Sequence, residues 1–160
     1  MLTVNIICIG SLKEKYLREA QSEYTKRLGA FCKLNIIELD EVKLPDNPSQ
    51  SEINSALEKE ADKIEQKIKN GSFVIPLVIE GKTISSEQLA KRLSDVSVQG
   101  ISTISFIIGS SFGLSGRIKS RASFSLSMSP MTFPHQLARI MLLEQTYRAF
   151  SIINNSKYHK

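Results

Sequence analysis

Apolar and polar positions along this chain follow two periods, and the change from one to the other marks the elements. Thr3–Ile9 is a β-branched, apolar run closed by Gly10 and predicts a first strand. From Leu12 to Phe31 the apolar residues Tyr16, Leu17, Ala20, Tyr24 and Leu28 recur at helical spacing, and the stripe ends near Gly29. Leu34–Leu39 reads as a second strand, and polar Asp40–Ser51, with Pro45 and Pro48, as a surface loop. Glu52–Lys69 is a charged helix with Ile53, Leu57, Ala61, Ile64 and Ile68 on its inner face, closed by Gly71. Phe73–Ile79 is a buried strand in which Pro76 lacks an N–H, predicting a bulge or a strand end. Ser85 followed by Gln88 is a capping box that opens a helix through Leu93, and Ser102–Ile108 is the next apolar strand.

Beyond it the pattern becomes less regular. Ser123–Ser129 alternates strictly, Phe124, Leu126 and Met128 against serines, and predicts a short strand. Pro134 suits the first turn of a long helix through about Ile153. That helix is apolar on more than one face: Leu137, Ile140, Met141, Leu142, Leu143, Tyr147, Phe150 and Ile153 do not fit a single stripe, which predicts a second chain packed against it. Strands separated by helices predict an α/β fold, an open and mostly parallel sheet in one domain over residues 1–160.

Composition narrows this picture. A chain of 160 residues buries a real core without disulfides or metals, and its 41% hydrophobic and 23% charged residues are those of a globular protein. Cys8 and Cys32 sit in apolar neighbourhoods and are expected as buried, reduced thiols. No apolar run nears the ~20 residues of a membrane span, and the apolar start lacks a basic leader, so a cytoplasmic protein is expected. The net charge of +5 is unevenly spread. Residues 1–80 hold eleven basic and thirteen acidic side chains, residues 81–160 ten and three. A basic second half suits a polyanion such as nucleic acid.

Candidate chemistry is sparse. Gly81-Lys82-Thr83 looks like the end of a phosphate loop, but Pro76 stands where the first glycine is required, which excludes an NTPase of that type. Gly109-Ser-Ser-Phe-Gly113-Leu-Ser-Gly116 follows a strand and precedes a short helix, where open α/β sheets bind ligands; its spacing is not that of a dinucleotide loop, so ligand loop and tight turn both remain open. His135 and His159 are the only histidines and have no acid or cysteine at metal-ligand spacing, so no metal site is expected. The C-terminal quarter concentrates aromatic, cationic and titratable groups in Met131-Thr-Phe-Pro-His135, Glu144-Gln-Thr-Tyr-Arg148-Ala and Lys157-Tyr-His-Lys160.

These pieces, with Leu77-Val-Ile-Glu-Gly-Lys82, Ser85-Ser-Glu87, Phe106-Ile-Ile-Gly109 and Gly113-Leu114, resemble in order the ribosomal RNA large subunit methyltransferase H family, a branch of the SPOUT methyltransferases. The resemblance implies an α/β fold whose C-terminal part threads a deep trefoil knot, which no periodicity rule foretells. It implies a homodimer that binds S-adenosylmethionine, without a metal, and methylates N3 of a pseudouridine in helix 69 of 23S rRNA on the assembled 70S ribosome. By matching position, the cofactor contacts would be Leu77, Gly109, Met128, Ser129, Pro130, Met131, Thr132 and Phe133. The family usually carries Gly-Gly where this chain has Gly109-Ser110; a positive φ there would strain Ser110 by order of 1 kcal/mol. Pro76 stands where the family commonly has Thr.

An imide N–H is a poor nucleophile until it loses its proton, and the tail is expected to supply that step. His159 is the expected base or proton relay, Tyr158 the stacking or orienting group, and Arg148 the stabiliser of the developing anion or the holder of a phosphate. His135 is expected to be structural or on the cofactor side, and Arg117, Lys119 and Arg121 to form an RNA-facing cluster. A non-catalytic RNA- or ribosome-binding protein of the same fold is the alternative, with Ser110 its one supporting feature; a transfer-RNA methyltransferase is a third reading.

Overall fold

The computed structural model describes residues 1–160. The order is β1 (Thr3–Ile9), α1 (Lys15–Leu28), β2 (Lys33–Leu39), α2 (Gln50–Lys67), β3 (Phe73–Lys82), α3 (Ser86–Val98), β4 (Thr103–Ile108), α4 (Gly116–Lys119) and α5 (His135–Ile153). All pairings are parallel, in the order β2-β1-β4-β3. Thr3 lies opposite both Lys33 and Thr103, so β1 is interior and its apolar run is covered on two faces.

The two-residue period of the strands sorts the core into two layers. Val4, Ile6 and Cys8 of β1, with Ile104 and Phe106 of β4, pack under α1, α3 and α5. Ile7, Ile9 and Ile107 point the other way, into Ala61, Ile64 and Ile68 behind α2 and Ile118 of α4. Cys8 and Cys32 are both buried and unbridged, as expected.

The helix starts are fixed by side chains. Ser85 caps α3 in the capping box anticipated from Gln88. A second box, Ser49 with Glu52, starts α2 two residues before the expected Glu52. Pro76 ends the β3–β4 ladder, opposite Ile107, and the strand runs on without that partner to Lys82. No helix is long and apolar enough to cross a membrane.

Two expectations need correction. The alternating segment Ser123–Ser129 is not a strand of the sheet, because the sheet's edge is taken up in another way. The Ser123 and Phe124 amides donate to the Val74 carbonyl (2.8 and 3.2 Å), the Lys82 amide donates to Ser125 (2.9 Å), and Ser127 donates to Lys82 (3.0 Å). Leu126 thereby bridges both Leu77 and Lys82. Residues 77–82 form an arc around 123–127, and the fit is close: a Cβ on Gly81 would lie 2.8 Å from the Ser125 carbonyl oxygen and the Leu126 carbonyl carbon.

The second correction concerns α5. Its apolar residues are largely used within the chain, since α1 flanks it on one side, α3 on the other, and the sheet lies beneath. Ile140, Leu142, Leu143, Ala149 and Phe150 are buried this way; Leu137 and Ile153, 40% and 36% exposed, are what remains outside. The many-sided apolarity of this helix therefore does not by itself require another subunit.

Candidate functional site

A cavity of about 820 Å³ opens at the carboxyl ends of β3 and β4. Open parallel sheets place ligands there because adjacent loops diverge and leave a crevice. Three segments build it: Leu77–Glu80 from the unpaired end of β3, Ile108–Leu114 after β4, and Ser127–His135 leading into α5. Of the residues expected at the cofactor, Leu77, Gly109, Met128, Ser129, Met131, Thr132 and Phe133 line it; Pro130 does not.

Each wall has a local reason for its shape. Gly109 leaves the sheet where a side chain has no room, since a Cβ would collide with the Gly113 carbonyl. Gly113 closes the turn by donating its amide to Ser110 (2.9 Å) and has φ +83°, which favours glycine. Opposite it, the Ser127 hydroxyl donates to the Ser129 carbonyl (3.1 Å) and the Ser129 hydroxyl accepts from the Met131 amide (3.0 Å). These bonds hold the 127–131 loop without drawing on its apolar side chains. The resulting lining of backbone, aliphatic and aromatic groups fits a ligand with an adenine ring and an aliphatic sulfonium chain.

Ser110 is not strained: the only non-glycine residue with positive φ is Asn155. Its hydroxyl donates instead to Oε1 of Glu60 on α2 (3.2 Å), whose Oε2 accepts the Val42 amide (3.1 Å). Glu60 is 3% exposed, and burial raises its pKa although both hydrogen bonds act the other way. A serine in place of the family's second glycine thus gives this chain a strut between its ligand loop and α2.

The basic cluster expected to face RNA is largely neutralised. Arg117 is held by Glu58 (3.1 Å), Asp62 (2.6 Å) and Glu65 (2.9 Å) of α2. Lys119 pairs with Glu80 at the cavity (2.7 Å), and its hydrogen bond holds that carboxyl below its ordinary value. Arg121 alone of the three is exposed with no ion pair. Sequence spacing groups these cations; it does not reveal the carboxylates that α2 brings to them.

Arg148, Tyr158 and His159 are brought together, though not at the cavity. Glu144 accepts from Arg148 Nε (2.9 Å) and from the Tyr158 hydroxyl (3.0 Å). The guanidinium lies 4.8 Å from the Tyr158 ring centre, and Tyr147 meets that ring edge-on at 4.7 Å. Arg148 Nη1 is 3.2 Å from His159 Nδ1, and His159 Nε2 is 2.7 Å from Oε1 of Glu87. Guanidinium only donates, so Nδ1 accepts and the ring proton sits on Nε2, facing Glu87. Burial, then the bond to Glu144, pushes the Tyr158 phenol up to about 12. None of the three lines the cavity, whereas His135, at the start of α5, does. Arg148 lies thirteen residues along the helix from it, about 20 Å at 1.5 Å per residue.

Comparison with known proteins agrees with this geometry. Residues 2–159 match the family model described as "Predicted SPOUT methyltransferase". The ribosomal RNA large subunit methyltransferases H of Clostridioides difficile (strain 630) and Streptococcus suis (strain 05ZYH33) are each 51% identical over 159 residues, 99% of this chain and 100% of theirs. Among solved structures, a "probable methylase family protein" from Haemophilus influenzae Rd KW20 shares the fold, with a TM-score of 0.52 at 16% identity over 98% of this chain and 70% of that one. With the crevice, the wrapped 123–127 segment and a family match along nearly the whole length, the chain belongs to the SPOUT methyltransferases.

Proposed function

We propose that this protein is an S-adenosylmethionine-dependent methyltransferase of 23S ribosomal RNA, acting on N3 of a pseudouridine in helix 69 of the assembled ribosome, in the cytoplasm, as a homodimer. The observation that carries the reading is the convergence of Leu77, Gly109 and the Met128–Phe133 loop on one cavity. The names of relatives about half identical over their full length support the RNA substrate. The arc of 77–82 around 123–127 supports the trefoil knot that the family implies.

S-adenosylmethionine, when bound, would supply a sulfonium methyl group to an in-line nucleophile, the C–S bond breaking as the new bond forms and S-adenosylhomocysteine leaving. The protein's part is to hold the acceptor close and relieve it of a proton. Leu77, Gly109, Met128, Ser129, Met131, Thr132 and Phe133 would hold the donor. His159 carries the basic lone pair on Nδ1, occupied at rest by Arg148. If Arg148 turns its N–H to the imide oxygen as negative charge develops there, Nδ1 is freed to take the N3 proton. Glu144 keeps Arg148 charged, its hydrogen bond raising the guanidinium's pKa, and Tyr158, a neutral phenol in this setting, orients the pair.

Distance supports the dimer. A tail cluster about 20 Å along α5 from its own cavity is poorly placed to meet a base bound there, and the tail of a second copy would serve instead. Exposed Leu137, beside the cavity-lining Ala138, is apolar surface available to that copy. The unstrained, hydrogen-bonded Ser110 removes the one feature that favoured a non-catalytic protein. The test is mass mapping of 23S rRNA methylation in cells with and without the protein, with purified 70S ribosomes and bulk tRNA as competing substrates in vitro. Loss of one methyl group from helix 69 is expected; an unchanged rRNA map, or methyl transfer to tRNA alone, overturns the assignment.

A further inference from the structure

The basic second half of the chain still needs a surface once Arg117, Lys119, Arg139 and Arg148 are each tied to carboxylates. Among its cations, Lys82 and Arg92 have no acidic partner, and both line a second hollow of about 280 Å³ between the end of β3 and α3. Lys91 and Asp95 also line it, neutralising each other as an ion pair (2.8 Å), and Gln88 and Gln99 add neutral polar side chains. Arg92 lies over Phe124, its guanidinium carbon 3.8 Å from the ring centre. A cation–π contact this close holds the guanidinium in place and leaves its N–H groups available to a bidentate acceptor.

The hollow and the cavity share a wall. Leu77–Glu80 face the cavity and Lys82 the hollow, two residues apart, which is about 7 Å in extended chain. The other half of the wall is the wrapped segment: Ser125 accepts the Lys82 amide, Phe124 carries Arg92, and Ser127 lines the cavity. A strand of RNA with its reacting base in the cavity therefore meets two free cations as its backbone passes over this wall.

We propose that this hollow seats backbone phosphates of the RNA substrate, gripped by Lys82 as a point charge and by Arg92 as a preset fork. The inference rests on the RNA methyltransferase reading above. It assigns the electrostatic docking surface to α3 and the end of β3, in place of the neutralised cluster on α4.

The experiment measures binding of the full-length protein to purified 70S ribosomes across salt concentrations. Lys82→Ala leaves the fold alone, since the ammonium group has no partner, and should reduce the slope of log affinity against log salt by about 0.7–0.9. Lys82→Ala with Arg92→Ala should reduce it by about twice that and lower affinity several-fold at physiological salt. Calorimetric titration with S-adenosylmethionine should be unchanged in both. A control of equal charge loss, Lys67→Ala with Lys69→Ala, should leave the slope as it was. Unchanged slopes in the hollow variants, an equal change in the control, or a change only in sedimentation (which would mean a second copy sits there) overturn the proposal. A wild-type protein that neither binds nor methylates ribosomes overturns the function itself, and this inference with it.

Discussion

At the scale of single residues, Glu60 is the least legible and most consequential side chain. It sits in a helix charged throughout, and nothing in the spacing of Glu58, Glu60 and Asp62 marks one as buried. Glu60→Ala orphans the Val42 amide and the Ser110 hydroxyl and should cost about 1–3 kcal/mol in chemical denaturation. Its pKa is raised in the folded protein, so the folded state binds the proton at a pH where the unfolded chain has lost it. Across that window stability falls as pH rises, and acidification relieves the cost. The stability of wild type minus that of Glu60→Gln should therefore increase as pH is lowered from neutrality; parallel curves would show that the carboxylate is not desolvated. Ser110 was legible only as a departure from the family, and its sequence does not say that α2 supplies an acceptor where strain was expected. Cys8 and Cys32 were legible from their neighbours. Burial pushes them up to about 12 and about 11, so both should resist an aromatic disulfide reagent at pH 8 until denaturant is added.

At the scale of elements, local signals performed well and pairing signals poorly. The Ser85–Gln88 box marks the start of α3; the equivalent Ser49–Glu52 box is masked in the sequence, because proline-rich polar chain precedes it and the apolar stripe begins only at Ile53. Since the Ser49 hydroxyl accepts the Glu52 amide (3.1 Å), Ser49→Ala should cost about 1 kcal/mol, read as a lowered denaturant midpoint at unchanged slope. No shift would mean that the reciprocal bond, from the Ser49 amide to the Glu52 carboxylate (3.1 Å), holds the first turn of α2 without the hydroxyl. Ser123–Ser129 failed as a strand for another reason. Its alternation is real, but alternation records only that one side is covered, and here the cover is an arc of the same chain. Likewise, apolarity around α5 records burial without saying whose helices provide it.

At the scale of the molecule, the charge contrast between the two halves of the sequence is partly offset on folding, because carboxylates of the first half pair with three cations of the second: Glu58, Asp62 and Glu65 with Arg117, Glu80 with Lys119, and Glu38 with Arg139. What folding adds is separation, with the cavity at one end of α5 and Arg148, Tyr158 and His159 toward the other. The proposal that two copies complete each other's sites has a decisive test in mixed dimers. One variant lacks residues 158–160 and keeps its cavity; the other, Gly109→Ala, keeps its tail and distorts its cavity, because the added methyl collides with the Gly113 carbonyl and must displace the 109–113 wall. Each alone should be inactive on ribosomes, with both folded and dimeric by circular dichroism and sedimentation. If a tail serves its partner's cavity, half the dimers in an equilibrated equimolar mixture carry one complete site, restoring about a quarter of the wild-type activity. If a tail serves its own cavity, no dimer in the mixture has a complete site, and activity stays absent at every ratio of the two variants.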